Sequence, residues 1–344
     1  MKIQENVALG PLTTLGVGGP ARFFAVAETE ADVAEAVRRA EERRLPLFVL
    51  GGGSNLLVSD AGFPGLVVQI GIRGIRDCGE GLFQVGAGEV WDEFVDGMVK
   101  AGMQGVECLA GIPGSVGGTP VQNVGAYGQE VAETIVLVRA FDRKTGEFVE
   151  LDREACKFRY RKSLFNKDEP ERYVVTRVDF RLHPSGTPQV TYGDVKRYFA
   201  QSTQTIDLEA VLSAVRQIRK SKGMLLVEKD PDCRSAGSFF KNPVVEAGRL
   251  SQVAVAAGVG TEAVPHWPAG DGVVKLSAAW LIERAGFEKG FADGAAGISS
   301  RHTLALINRG GATAADIERL QDRIRRGVEE RFGVGLEREP VKLG

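Results

Sequence analysis

Three glycine-rich runs and two polar segments hold the residues that could do chemistry in this sequence. The longest run, Gly111-Ile112-Pro113-Gly114-Ser115-Val116-Gly117-Gly118, continues to Gly128 and holds six glycines and two prolines. Glycine lets the backbone approach a ligand closely and take positive φ, while proline fixes φ and removes a donor. Such a run suits a cradle of exposed amides around an anion such as a pyrophosphate, and equally an ordinary structured loop. Gly51-Gly52-Gly53-Ser54-Asn55 and Thr13-Thr14-Leu15-Gly16-Val17-Gly18-Gly19-Pro20-Ala21 are shorter runs of the same kind. Cys156 to Phe165 sets four cations, Arg161 among them, around two aromatics, which on its own reads as a solvated basic surface. The last segment, Ser235-Ala236-Gly237-Ser238-Phe239-Phe240-Lys241-Asn242-Pro243, ends a long irregular stretch that begins at Gly223. A loop of that length is uncommon and often functional, although Ser238 alone reads as a cap or turn residue.

The elements around the runs narrow the choice. Leu47-Phe48-Val49-Leu50 is a short buried strand running directly into Gly51. A dinucleotide fingerprint or a P-loop would continue into a helix, and a P-loop would also need Gly-Lys-Ser/Thr. Here Leu56-Leu57-Val58, a turn around Gly62-Phe63-Pro64-Gly65, and the strand Leu66–Ile70 follow instead. A nicotinamide Rossmann domain and a nucleotide hydrolase are both disfavoured. Upstream, Arg22–Val26 is strand-like, and Thr29 caps a helix whose Val33, Val37 and Ala40 share one face before Pro46. Leu82–Gly88 is a strand, and Glu89 to Gly102 a helix with Trp91, Phe94, Val95 and Met98 as its core stripe. From Ile135 the pattern turns to sheet: Ile135–Phe141, a turn at Asp142–Gly146, Glu147–Leu151, then Tyr173–Leu182. Asp207 to Lys222 is a helix with Val211, Leu212, Val215 and Ile218 inward and Arg216, Arg219 and Lys220 outward. Helices follow around Ser277–Ala285 and Thr313–Phe332, the second stopped by Gly333.

Composition sets the outer limits. A chain of 344 residues points to two or three domains, and 43% hydrophobic with 26% charged residues describes a soluble globular protein. A net charge of -2 gives no general attraction for nucleic acid or membrane surfaces. The start, Met1-Lys2-Ile3-Gln4-Glu5-Asn6, has no apolar signal core, and no later run would span a bilayer. Cys78, Cys108, Cys156 and Cys233 are scattered without CxxC spacing, and three histidines are too few for a histidine metal site. A cytoplasmic protein with reduced thiols and no metal is expected.

Glycine segments alternating with short strands and two helices over about the first 140 residues resemble the flavin-binding domain of the vanillyl-alcohol-oxidase and cresol-hydroxylase type flavoproteins. In that group the FAD diphosphate lies among loop amides. Many of its oxidases link flavin through a histidine, and none stands in the three glycine segments here, so non-covalent FAD is expected.

Taken together, Thr14–Ala21, Gly51–Asn55, Gly111–Gly128, Tyr160-Arg161-Lys162-Ser163, Gly237–Pro243 and Leu336-Glu337-Arg338-Glu339 resemble the UDP-N-acetylenolpyruvoylglucosamine reductase family over nearly the whole chain. Those flavoenzymes make UDP-N-acetylmuramate for bacterial cell-wall peptidoglycan. The resemblance implies an α+β fold: two flavin-binding lobes, residues 1–70 joined by 321–344 and residues 71–217, and a smaller substrate-binding domain at 218–320. It implies that NADPH reduces FAD and that the flavin passes hydride to the vinyl carbon of the enolpyruvyl ether. Both substrates would use one flavin face in turn. By motif position, Arg161 would stabilise the enediolate, with Glu339 beside it, and Ser238 would supply the proton. Gly51, Gly52, Gly53, Ser54, Asn55, Pro113, Gly114, Ser115, Gly117, Asn123 and Gly125 would line the cofactor.

Val190-Thr191-Tyr192-Gly193-Asp194 resembles the loop that folds over substrate in one subgroup of the family. Tyr192 would lie against the diphosphate, and Lys222 and Asn242 match positions contacting the UDP part. The final motif departs from the family pattern, because Glu339 is followed by Pro340 and Val341. Glu337 is therefore the substitute should the proline shift the Glu339 carboxylate. The expected partners are the sugar-nucleotide enolpyruvyl ether and NADPH, with no nucleic acid or membrane, and the expected state is a monomer. An alcohol or sugar oxidase of the same flavin fold, and a binding protein without turnover, are the rival readings.

Overall fold

Two α+β units account for the chain in the computed structural model, which describes residues 1–202 and 205–344. The first comprises Met1–Val7, Ala21–Gly53 and Phe63–Lys220, and the second Ala8–Pro20, Ser54–Gly62 and Ser221–Gly344.

In the first unit a four-stranded sheet runs in the order Ile3–Ala8, Pro20–Ala27, Phe63–Ile70, Leu47–Leu50. The central strand is parallel to both neighbours, with Phe24 opposite Val67 and Val49 opposite Val68. Helix α1 (Glu30–Glu42) has a Thr29–Asp32 capping box and buries Val33, Ala36, Val37 and Ala40. A second, antiparallel sheet runs in the order Glu147–Asp152, Ile135–Asp142, Tyr173–Arg181, Leu82–Gly86, Ile75–Asp77. Helix α2 (Trp91–Lys100) buries the expected stripe of Trp91, Phe94, Val95 and Met98. Its aromatics pack on Phe180 of that sheet, with Phe94 and Phe180 centroids 5.1 Å apart.

The short helix α3 (Gly193–Phe199) starts after Tyr192, and helix α4 (Leu208–Ser221) buries Leu208, Val211, Leu212 and Val215. One expectation fails here. Arg219 does not face outward but is buried, because it lies on the same stripe as Leu212 and Val215 and finds its partners inside.

The second unit holds helices α5 (Arg249–Ala257), α6 (Ala278–Arg284) and α7 (Ala314–Phe332). It also has two three-stranded antiparallel sheets and a short parallel pair of Leu56–Val58 with Val341–Leu343. Buried Ile317, Leu320, Ile324, Val328 and Phe332 of α7 share a core with Leu15, Val17 and Leu57. Burial of each such aliphatic side chain contributes roughly 1.5–3 kcal/mol, so the terminal helix is fastened to segments from the first seventy residues. Its first-turn amides are held further: Asp60 accepts from Ala314 N at 2.7 Å and Ala315 N at 2.9 Å. Gly333, left-handed with φ 61°, ends the helix.

Candidate active site

The strand Leu47–Leu50 delivers Gly51 and Gly52 against the backbone of the longest glycine run. A Cβ on Gly52 would lie 2.6 Å from Gly114 Cα and 3.0 Å from Ser115 N, and one on Gly51 would lie 2.8 Å from Ser115 Oγ. At Gly52 glycine is required by the close approach of two backbones. Among the described residues, no hydrogen bond uses the N–H of Gly51, Gly52, Gly53, Gly114 or Ser115. Gly53 and Ser115 are buried, Gly51 and Gly114 half-buried and Gly52 exposed. Backbone amides grouped in this way, with no protein acceptor among the described residues, suit an anion.

The rest of the long run is anchored. Gly111 N donates to Asp92 Oδ1 at 2.6 Å, Trp91 N to Gly114 O at 3.1 Å, and Gly117 N to Ala87 O at 2.8 Å. Gly117 and Gly125 are tight for internal reasons too, since a Cβ would meet Ala87 Cβ at 2.6 Å and Glu130 Cγ at 2.7 Å. The Asn123 side chain is committed within the protein: it donates to Glu130 Oε2 and Arg159 O and accepts from Ala132 N. The Asn123 backbone is engaged too, with N donating to Pro120 O and O accepting from Arg161, both at 3.4 Å.

Arg161 sits on a two-residue turn closed by reciprocal hydrogen bonds between Arg159 and Lys162. Ser163 Oγ donates to Val121 O at 2.6 Å and Asn123 Nδ2 to Arg159 O at 3.2 Å, so the turn is fastened to the glycine run. The Arg161 guanidinium donates to Gly125 O at 2.7 Å and Asn123 O at 3.4 Å, and lies 5.2 Å from the Tyr160 ring centroid. Arg161, Asn123 and Tyr127 all have positive φ, at 55°, 45° and 50°. Left-handed backbone costs a non-glycine residue roughly 1–2 kcal/mol, and such strain gathers at functional sites.

Arg219, expected on the outer face of its helix, reaches the glycine run instead. Its Nε donates to Gly111 O at 3.0 Å, and its guanidinium bonds Tyr127. Burial lowers the Arg219 pKa and pushes the Tyr127 phenol up to about 12, with the Arg219 cation pulling the phenol partly back. The available signal was spacing, since Arg219 falls four residues after Val215 and seven after Leu212. Tyr192, half exposed, meets Tyr127 edge-on at 5.6 Å, and burial with nearby Asp194 raises its pKa.

In the second unit the Ser238 segment pairs with the chain end. Phe240 bridges Arg338, Lys241 N donates to Glu337 O, and Glu339 N donates to Phe239 O at 2.9 Å. The Ser238 hydroxyl, half-buried, makes no hydrogen bond to protein among the described residues, so neither a cap nor a turn claims it. Pro340 sits where no donor is needed. Glu339 N is used on one side and Val341 N, bonded to Asn55 O at 3.0 Å, on the other. Glu337 is exposed and ion-paired with Lys241, whereas Glu339 is half-buried. Asn242 Oδ1 accepts from Ala278 N at 3.0 Å, and Lys222 is half-buried. The Thr14 hydroxyl reaches both Ser54 O and Ser235 O, linking the first glycine turn to the Ser238 segment. Arg161 stands in the first unit, and Ser238 and Glu339 in the second.

Residues 21–152 match the family model described as FAD binding domain, and residues 229–343 the one described as UDP-N-acetylenolpyruvoylglucosamine reductase, C-terminal domain. A UDP-N-acetylenolpyruvoylglucosamine reductase of Streptomyces coelicolor is 48% identical, over 99% of this chain and 91% of that protein. One of Thermobifida fusca is 47% identical, over 99% of this chain and 98% of the relative. The crystal structure of UDP-N-acetylenolpyruvylglucosamine reductase (MurB) from Thermus caldophilus covers both chains fully, with 29% identity and a TM-score of 0.69. The expected α+β class, with a flavin-type domain followed by a family-specific C-terminal domain, holds. With nearly half its residues identical to these relatives along almost its whole length, the chain belongs to the UDP-N-acetylenolpyruvoylglucosamine reductase family.

Proposed function

We propose that this chain is an FAD-dependent, NADPH-linked reductase that converts the enolpyruvyl ether of a UDP-N-acetylglucosamine to UDP-N-acetylmuramate, for peptidoglycan synthesis. Family membership supports the reaction class. The unclaimed amides of Gly51, Gly52, Gly53, Gly114 and Ser115 fit a dinucleotide pyrophosphate, with Ser54, Asn55, Pro113, Gly117, Asn123 and Gly125 completing the lining. FAD held there without a covalent link would supply the hydride chemistry that joins NADPH to the vinyl carbon.

Negative charge then builds on the neighbouring carbon and its carboxylate, and the protein's own groups must meet it. Arg161, its guanidinium oriented by Gly125 O and Asn123 O, serves as the cation for that enediolate. Ser238 delivers the proton to the carbanionic carbon, and Glu339 serves the same intermediate. The single observation that carries this reading is the Ser238 hydroxyl, without a hydrogen bond among the described residues and held in a segment paired to that of Glu339. Tyr192 and Lys222 bind the diphosphate as donors, as in the subgroup with a tyrosine-bearing loop. Asn242, its oxygen spent on Ala278, offers its NH2 group to the uridine part. Residues 1–70 with 321–344, and 71–217, serve as the flavin lobes, and 218–320 as the substrate domain. The enzyme works as a cytoplasmic monomer.

The test is an anaerobic half-reaction experiment. Purified yellow protein should bleach with NADPH and recolour on adding the enolpyruvyl sugar nucleotide. Reoxidation by oxygen but not by that compound would instead identify an oxidase.

A further inference from the structure

Between Lys222 and Ser238 the chain has little regular structure beyond one turn at Pro231–Cys233, so something else must fix it. Asp232, 4% exposed, does so. Its Oδ2 accepts from Ser299 Oγ at 2.9 Å, Ser300 Oγ at 2.8 Å and Arg301 Nε at 2.9 Å. Arg301 also bonds both carboxylate oxygens of Asp230, and Asp230 Oδ1 accepts from Asp232 N at 3.0 Å. Gly223, directly after Lys222, packs onto this clasp with φ 65°. A Cβ there would lie 3.2 Å from Arg301 Nε, Asp232 Cβ and Ser299 Oγ alike.

The chain leaving the clasp then acts as a rail for the segment entering the site. Asn308 N donates to Arg234 O at 2.9 Å, Ser235 bridges Ile307, and Phe239 N donates to Leu304 O at 2.7 Å. Residues 299–308 thus grip Asp232 at one end and hold both flanks of Ser238 at the other. A buried ion pair gains little stability over well-packed apolar residues, whereas its directional bonds fix one arrangement of two chain segments.

We infer that Asp232 and Arg301 are positioning residues, whose clasp, with Ser299 and Ser300, sets Ser238 for proton transfer and Lys222 for phosphate. This rests on the proposed roles of Ser238 and Lys222. Neither clasp residue touches substrate in it.

The test uses flavin-loaded Asp232→Asn, Arg301→Ala and Arg301→Lys proteins and the milder Ser299→Ala/Ser300→Ala double variant. Reoxidation by the enolpyruvyl substrate should slow at least tenfold in Asp232→Asn, less in the double variant, while bleaching by NADPH stays within twofold. Partial recovery in Arg301→Lys relative to Arg301→Ala should mark a requirement for the cation. Both half-reactions unchanged, or both falling together with flavin content, would overturn the inference. If the parent protein itself is not reoxidised by that substrate, the functional reading falls. The clasp is then judged by hydrogen exchange: faster exchange of the Ser235 and Phe239 amides in Asp232→Asn supports it, and unchanged exchange overturns it.

Discussion

A single methyl group at position 52 probes the amide cradle more cleanly than any loss of charge. In Gly52→Ala the new Cβ would lie 2.6 Å from Gly114 Cα, 2.8 Å from Gly114 C and 3.0 Å from Ser115 N. All three atoms are backbone, so no rotamer change relieves the overlap. Ordinary contact begins near 3.4 Å, so the two runs must part by about 0.8 Å. Overpacking on this scale costs about 1–3 kcal/mol. If the cost falls on the geometry that receives the pyrophosphate, FAD affinity drops roughly 5- to 150-fold. Titrating flavin-stripped protein with FAD, followed by flavin fluorescence and by the FAD-induced rise in Tm, measures this directly. Gly97→Ala is the matched control. Position 97 lies within α2 with nothing within 4 Å of its added Cβ, so the alanine should be neutral or stabilising. A Gly52→Ala protein binding FAD within twofold of the parent, or a Gly97→Ala protein weakened as much, would refute the reasoning.

Other consequences can be measured separately. Arg219→Lys keeps the charge but loses the planar fork bonding Gly111 O and Tyr127. Stability in urea should fall by about 1–3 kcal/mol, and an unchanged midpoint would count against a structural role for that cation. At Asp232, burial pushes the carboxyl pKa up, but hydrogen bonds from Arg301, Ser300 and Ser299 outweigh it and hold the value below the ordinary one. A carboxyl lowered on folding gives stability that is complete above its unfolded pKa of roughly 4, lost as pH falls through the folded value. Acid denaturation below about pH 4 should therefore flatten in Asp232→Asn, and an identical acid limb would contradict this. Finally, Glu339→Gln should slow turnover at least tenfold while Glu337→Gln stays within twofold. The reverse order would hand the role to the carboxylate paired with Lys241.

Local signals in the sequence were read correctly where the physics is local. Thr29 caps the helix it precedes, Gly333 ends α7, and the Trp91–Met98 stripe is core. The strand-and-turn sequel to Gly51–Asn55, which removed the Rossmann and P-loop readings, is present as Leu56–Val58 and Phe63–Ile70. Non-local chemistry was not legible. Arg219 was assigned to the surface because a cation on an apolar stripe needs partners, and its partner, Gly111 O, lies 108 residues away. The Asp232–Arg301 clasp spans 69 residues and has no local pattern. The local pattern around Arg161 shows only a basic segment, and its role there comes from the motif resemblance, since its positive φ and its bonds to Gly125 and Asn123 depend on the glycine run. Pro340 raised a doubt that pairing on both sides addresses for the backbone at Glu339.

The most direct test of the central claim is the Ser238→Ala protein, loaded with FAD and followed anaerobically through both half-reactions. Bleaching by NADPH should proceed within twofold of the parent, because that step needs no proton from Ser238. Recolouring by the enolpyruvyl sugar nucleotide should collapse by at least a hundredfold, in line with the roughly 10²–10⁴-fold contribution of a placed general acid. Fast recolouring in Ser238→Ala, with normal flavin content and normal bleaching, would contradict the assignment of the proton donor.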